Sequence, residues 1–203
     1  MIAENRLVIP NKKYILNKMT ANFQIGDIVT SSRGAKSIPI LTYDNQPFIW
    51  MPADMQNVVY EPCAYNDDNA NRVDVCFAVT EALETQLTIY DGVILKALTK
   101  DSMKYFGQSL TETQIKERVQ PSIKTSEKGY SNFRVKLNRE GRGRAQVFDM
   151  NREPRALPES FLSCSLKPRL QLKGLWIMGR DMGPIWELVA MQVDDKGASI
   201  CPF

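Results

Sequence analysis

In two stretches of this chain, cationic and apolar residues alternate one for one. A period of two restricts each stretch to an extended strand with one buried face. Phe133, Val135 and Leu137 interleave with Arg134 and Lys136, and Leu170 and Leu172 interleave with Arg169, Gln171 and Lys173. Successive side chains of a strand point to opposite faces, so the apolar set meets a core and the cationic set lines the surface behind it. Charge is concentrated in the same region. Lys116 to Arg180 carries 15 Lys and Arg against 6 Asp and Glu, whereas the rest of the chain holds 11 against 17. The formal net charge of +3 hides this polarity. A sheet with a cationic outer face is a natural track for a polyphosphate backbone, which points towards nucleic acid.

Several function classes drop out. The chain of 203 residues has no histidine. That excludes Ser-His and Cys-His nucleophile pairs, histidine zinc sites and imidazole acid–base chemistry. Neither a GxxxxGK(S/T) phosphate loop nor a GxGxxG fingerprint is present. A magnesium-dependent nuclease needs only carboxylates and a lysine. Asp149, Glu153, Asp181 and Glu187 are the nearest candidates, but they lack metal-ligand spacing and read as solvated surface charge. No catalytic role, cofactor or metal is expected. No apolar run approaches the roughly 18 residues of a membrane span. The start, Met1-Ile-Ala-Glu-Asn-Arg, lacks the features of a secretory signal. Cys63, Cys76, Cys164 and Cys201 are scattered without a close pair, so an intracellular, reducing location fits.

Along the chain, the first 35 residues read as a partly ordered arm ending in Ser31-Ser-Arg-Gly34. Ser37 to Tyr43 and Pro47 to Met51 flank Asp44-Asn-Gln46 as a hairpin would. Val58 to Tyr60 and Val73 to Val79 are further strands, separated by a polar loop with Asp67, Asp68 and Asn69. From Thr80 the period changes. Leu83, Leu87, Tyr90, Ile94 and Leu98 recur at three- and four-residue steps, which predicts a helix with one buried stripe. Thr111-Glu-Thr-Gln114 matches a capping box, and Pro121 marks the end of the helix it starts. Strands return at Asn132 to Leu137, Ala145 to Phe148, Arg169 to Met178 and Ile185 to Val193. Asn138 to Arg144 reads as an exposed basic hairpin tip, and Met150 to Ser163 as a connecting excursion. Strands, a helix, then strands again is the order of an OB-fold, a Greek-key barrel with a helix between its third and fourth strands.

The last fifty residues add a family resemblance. Leu170-Gln-Leu-Lys-Gly-Leu-Trp-Ile-Met178, a Gly-Pro turn, then Ile185-Trp-Glu-Leu-Val-Ala-Met-Gln-Val193 resembles the closing hairpin of viral single-stranded DNA-binding proteins. Those are OB-fold replication proteins of large DNA viruses and phages. Ser102-Met-Lys-Tyr-Phe-Gly107 and Tyr130-Ser-Asn-Phe-Arg-Val-Lys-Leu137 resemble the same family. The resemblance implies an α+β, mainly β, OB-like Greek-key barrel with a central amphipathic helix and added strands. It spans roughly Ile38 to Val193, so a single-stranded DNA-binding domain is expected over residues 36–193, between the arm and a short polar tail at residues 194–203 that reads as mobile. It also implies sequence-independent binding during viral DNA replication, recombination and repair, in the host nucleus or a viral replication compartment. Two other classes stay open: a metal-dependent nuclease on similar DNA, and a virion structural or assembly protein with a basic genome-facing surface.

The candidate contacts follow from charge and aromaticity. Arg134, Lys136, Arg169 and Lys173 would repel one another on adjacent strands unless an anion neutralised them, which favours binding. Lys124, Lys128 and Arg180 extend the basic set. Arg139, Arg142 and Arg144 either clamp a strand or solubilise a turn. Tyr130, among Lys128, Gly129, Ser131 and Asn132, reads as an exposed aromatic. Trp176 and Trp186 lie equally far from Asp181, the centre of the expected turn, and read either as a cross-strand core pair or with one as a base-stacking platform. Trp50, Tyr105 and Phe106 read the same two ways. Asp194 and Asp195, followed by terminal Pro202 and Phe203, resemble the partner-recruiting end of bacterial single-stranded DNA-binding proteins. That resemblance implies a replication protein as partner.

Overall fold

Period-two segments dominate the folded chain, as their sequences require. The computed structural model describes residues 22–64, 71–127, 129–162 and 164–195. The arm up to residue 21, the Asp67 to Asn69 loop, Lys128, Pro202 and Phe203 lie outside them. In chain order come β1 (Gln24–Ile25), β2 (Val29–Thr30), β3 (Lys36–Leu41), β4 (Ile49–Trp50), β5 (Gln56–Ala64) and β6 (Arg72–Ala78). Helices α1 (Glu81–Lys100), α2 (Ser102–Phe106) and α3 (Glu112–Lys116) follow. The rest is β7 (Ile123–Thr125), β8 (Ser131–Asn138), β9 (Gln146–Phe148), β10 (Ser165–Met178) and β11 (Asp181–Asp194).

Five of these strands close a ring. β10 pairs with β5, β5 with β6, β6 with β8, β8 with β11, and β11 returns to β10. Only the β8–β11 contact of this ring is parallel. Taken in chain order, the ring runs first, second, third, fifth, fourth, the Greek-key order of an OB barrel. The protein is therefore an α+β, mainly β, OB-like barrel with added strands. β3 and β4 extend along the outer edge of β10, and β1 and β2 pair with β3. Close approach there fixes one residue type: a Cβ on Gly174 would sit 2.2 Å from the carbonyl oxygen of Ile38.

The helices depart from the expected position. They connect β6 to β8, the second and third barrel strands, rather than the third and fourth. β8 touches β11 only at Lys136 and Leu137, which leaves a gap beyond them. The returning chain fills it. β7 pairs with the first residues of β8, while Gln120 donates to the Met182 carbonyl and Met182 donates to that of Arg118. This docking also explains why α3 stops at Lys116 and not near Pro121: the backbone after it is engaged by β11.

Leu83, Leu87, Tyr90, Ile94 and Leu98 form the buried stripe of α1, and Thr80 caps it by accepting from the Leu83 amide at 3.2 Å. Burying each such side chain contributes about 1.5–3 kcal/mol. Thr111 and Gln114 form the capping box of α3. Tyr90 packs against Trp50, Phe48 and Trp186 at ring separations of 5.4, 5.4 and 5.9 Å, and Trp186 against Phe133 at 5.6 Å. This aromatic cluster joins α1 to the barrel.

Two turns differ from their sequence reading. Thr42 to Gln46 does turn, with Asn45 at φ 60°, but β3 and β4 then part and each pairs with β10. The β10–β11 turn lies at Gly179-Arg180 rather than Gly183-Pro184, since Met178 is opposite Asp181. Gly179 adopts φ 62°, the position that a two-residue hairpin turn reserves for glycine.

Candidate nucleic-acid interface

The outward residues of the barrel strands form a charged row. Asp74 on β6 stands beside Lys136 on β8, and Lys136 beside Glu187 on β11, which faces Gln171 on β10. Lys136 Nζ lies 2.6 Å from Asp74 Oδ1, Arg134 Nη1 3.6 Å from Asp74 Oδ2, and Lys173 Nζ 2.9 Å from Glu187 Oε2. The Asn138 amide also donates to Glu187. The side chains of Asp74 and Glu187 are 4% and 8% exposed, while those of Arg134 and Lys173 are 46% and 54% exposed. The carboxylates thus form a buried layer beneath cations that reach solvent. Mutual repulsion of the basic residues does not require an external anion, because β6 and β11 supply two internal ones. Three cations over two carboxylates leave the patch with a positive excess.

Aromatic groups flank it. Tyr130 is 69% exposed in the turn between β7 and β8, whose ends are tied by Ser126. Lys124 is exposed on β7 opposite Asn132. Tyr60 is 55% exposed on β5, in register with Cys76, which is in turn opposite Arg134. Sequence reasoning passed over Tyr60 because β-bulges on either side break the alternation that would have shown it facing outwards.

The two tryptophans part company. Trp186 faces Leu172 and Trp176 faces Gly183, so they are not a cross-strand pair. Trp186 is 2% exposed, and its indole N–H donates to the Ser122 hydroxyl at 2.9 Å. Ser122 in turn donates from its amide and hydroxyl to Asp91 at 2.8 and 2.7 Å. Burial pushes the Asp91 pKa up, and the Ser122 bonds oppose the shift. Trp176 is half-buried, and its indole lies against Gly183, where a Cβ would come within 2.9 Å of it. Trp50 and Tyr105 pack inwards, and the Tyr105 hydroxyl donates to the Gly26 carbonyl.

Other candidates are spread along the barrel. Arg142 and Arg144 are exposed, and Arg139 half-buried, in the loop after β8. That loop is not a hairpin tip. β8 and β9 lie in line, both parallel to β11, and the loop bulges from between them, closed by the Ala145 amide on the Asn138 carbonyl. Arg180 stands exposed in the β10–β11 turn, at the barrel end that also carries Tyr130. With strands rising about 3.3 Å per residue, roughly 30 Å separates Tyr130 from Arg139. Arg169 is exposed on β10 opposite Ala190.

Asp194 ends β11 in register with Ser165. Asp195 accepts from Arg155 and from the Cys164 thiol, and these bonds, Arg155 foremost, hold its pKa below the usual carboxylate value. Among the nuclease candidates, Asp149 accepts from the Asn151 and Glu153 amides, Glu187 is paired with Lys173, and Asp181 lies at the hairpin turn. Among the described residues no group of three or more His, Cys, Asp or Glu is placed to hold a metal ion. No helix among them is long and apolar enough to cross a membrane.

The model of the family of unknown function DUF5871 matches residues 65–202, and the chain belongs to that family. Among curated proteins none matches it in sequence. Among solved structures, it is similar to a single-stranded DNA-binding protein from bacteriophage Enc34 in complex with ssDNA. The TM-score is 0.41 and the identity 10%, over 84% of this chain and 92% of that one.

Proposed function

We propose that this protein binds single-stranded DNA with little dependence on sequence, and that it does so without catalysis. The observation that carries the reading is the juxtaposition of exposed Tyr60 with Arg134 and Lys136 on the outer face of β5, β6 and β8. In OB barrels, oligonucleotides lie across the face of the second and third strands, here β6 and β8. Aromatic rings accept any base by stacking while cations track the backbone, which is how such proteins bind without reading sequence. The segments Leu170 to Met178 and Ile185 to Val193, which resemble viral replication proteins, extend the reading to viral DNA replication, recombination and repair.

Titration with labelled single-stranded DNA, duplex DNA and RNA, with and without magnesium, tests it. Tightest retention of single-stranded DNA, with affinity falling steeply as salt rises, is the expected result. Equal or tighter binding to duplex at the same ionic strength refutes it. Magnesium-dependent degradation would indicate the nuclease, and indifference to all three an assembly protein.

A further inference from the structure

On the outer face of the barrel, β11 carries one residue more than β10 can pair. Arg169 is opposite Ala190 and Leu170 opposite Leu188, so Val189 is an extra residue in a bulge. Bulges re-aim side chains, and here two consecutive residues, Val189 and Ala190, line the same groove. The groove has a volume of about 460 Å³ and is bounded by Pro47, Ile49, Gln146, Arg169 and Gln171. Ligand sites span about 300–1,000 Å³ and combine apolar walls with a few polar groups.

We infer that this groove takes one unstacked nucleobase of the bound strand, a proposal that rests on the single-stranded reading above. A base has two apolar faces and a polar edge. Val189 and Ala190 offer a small apolar floor for a face. Gln146 and Gln171 stand at the rim with primary amides, each both donor and acceptor, which suit the mixed edge of a base. Arg169 supplies the cation for the adjoining phosphate. Unlike Arg134, Lys136 and Lys173, it enters no ion pair among the described residues. The groove also continues the charged row, since Gln171 is in register with Glu187, the partner of Lys173. A strand following that row reaches the groove next.

The test compares a thymidine oligonucleotide with an abasic deoxyribose-phosphate strand of equal length, on the wild type and on the double variant Gln146→Ala/Gln171→Ala. The expected result is a several-fold loss of affinity for the base-bearing strand, with the abasic strand bound as before and thermal stability unchanged. Arg169→Ala should instead weaken both strands and reduce the salt slope by about 0.7, the share of one phosphate contact on a single strand. Equal losses on both strands in the double variant, or no loss on either, overturn the groove while leaving single-strand binding intact. Failure of the wild type to bind either strand overturns the reading beneath it.

Discussion

Replacing Asp74 by Asn removes a negative charge from beneath Arg134 and Lys136 while nearly preserving the volume of the side chain. In the wild type both cations are held by that carboxylate, Lys136 at 2.6 Å and Arg134 at 3.6 Å. A cation already neutralised by its own protein releases few counterions when it meets a phosphate. One carboxylate offsets one of the two positive charges, so the variant frees one. Each new phosphate contact on a single strand adds about 0.7 to the slope of log affinity against log salt, so Asp74→Asn should steepen it by about 0.7. Lowering salt about fourfold should then raise the variant's affinity roughly 2.6-fold more than the wild type's. The freed side chains are partly exposed and can turn to water, so the stability cost should be small, on the order of 1 kcal/mol.

Fluorescence titration of a labelled oligonucleotide at four or five salt concentrations reads the slope directly, with a thermal melt as control. An unchanged slope in a folded variant would mean that Arg134 and Lys136 do not reach phosphate. A shallower slope with weaker binding would mean that Asp74 aims the two cations and that its neutralising effect is secondary. Either outcome refutes the argument from charge balance.

Leu87→Ala, at a wholly buried position of α1, should cost about 2–5 kcal/mol in chemical denaturation, because the cavity sits in the seam between helix and barrel. Burial pushes the Tyr90 pKa up to about 12, so the fold favours the neutral phenol. Its contribution is complete below the unfolded pKa of about 10 and is lost as pH rises towards the folded value; melts of Tyr90→Phe between about pH 9 and 11.5 should lack that part of the decline. Changing Arg139, Arg142 and Arg144 together to Ala should flatten the salt slope by up to about 2 if the loop clamps a strand, and leave it unchanged if the loop only aids solubility.

The helix and the barrel strands were legible because periodicity is local. Leu83 to Leu98 needs only a 3.6-residue rhythm, and Phe133 to Leu137 only a two-residue one, for burial to follow. The β10–β11 turn was misplaced because a local signal was overridden. Gly183-Pro184 read as the breaker, and what moved the turn to Gly179-Arg180 was the long antiparallel register of β10 on β11, which no short window contains. The short strands β1, β2 and β7 were missed because they owe their existence to an edge already built by β3 or β8.

The candidate site was less legible, for a related reason. Its cations announced themselves through local sequence, but their partners are distant in the chain. Asp74 precedes Lys136 by some sixty residues, and Glu187 lies about fifty beyond it, each flanked by apolar neighbours. A carboxylate among Val73, Val75 and Phe77 is costly to bury unless it is paired. Read that way, Asp74 and Glu187 were the informative residues, since each demanded a cation on a neighbouring strand. The buried acids therefore help set the position of the exposed bases, and a surface that looks merely basic in sequence is a layered arrangement of charge.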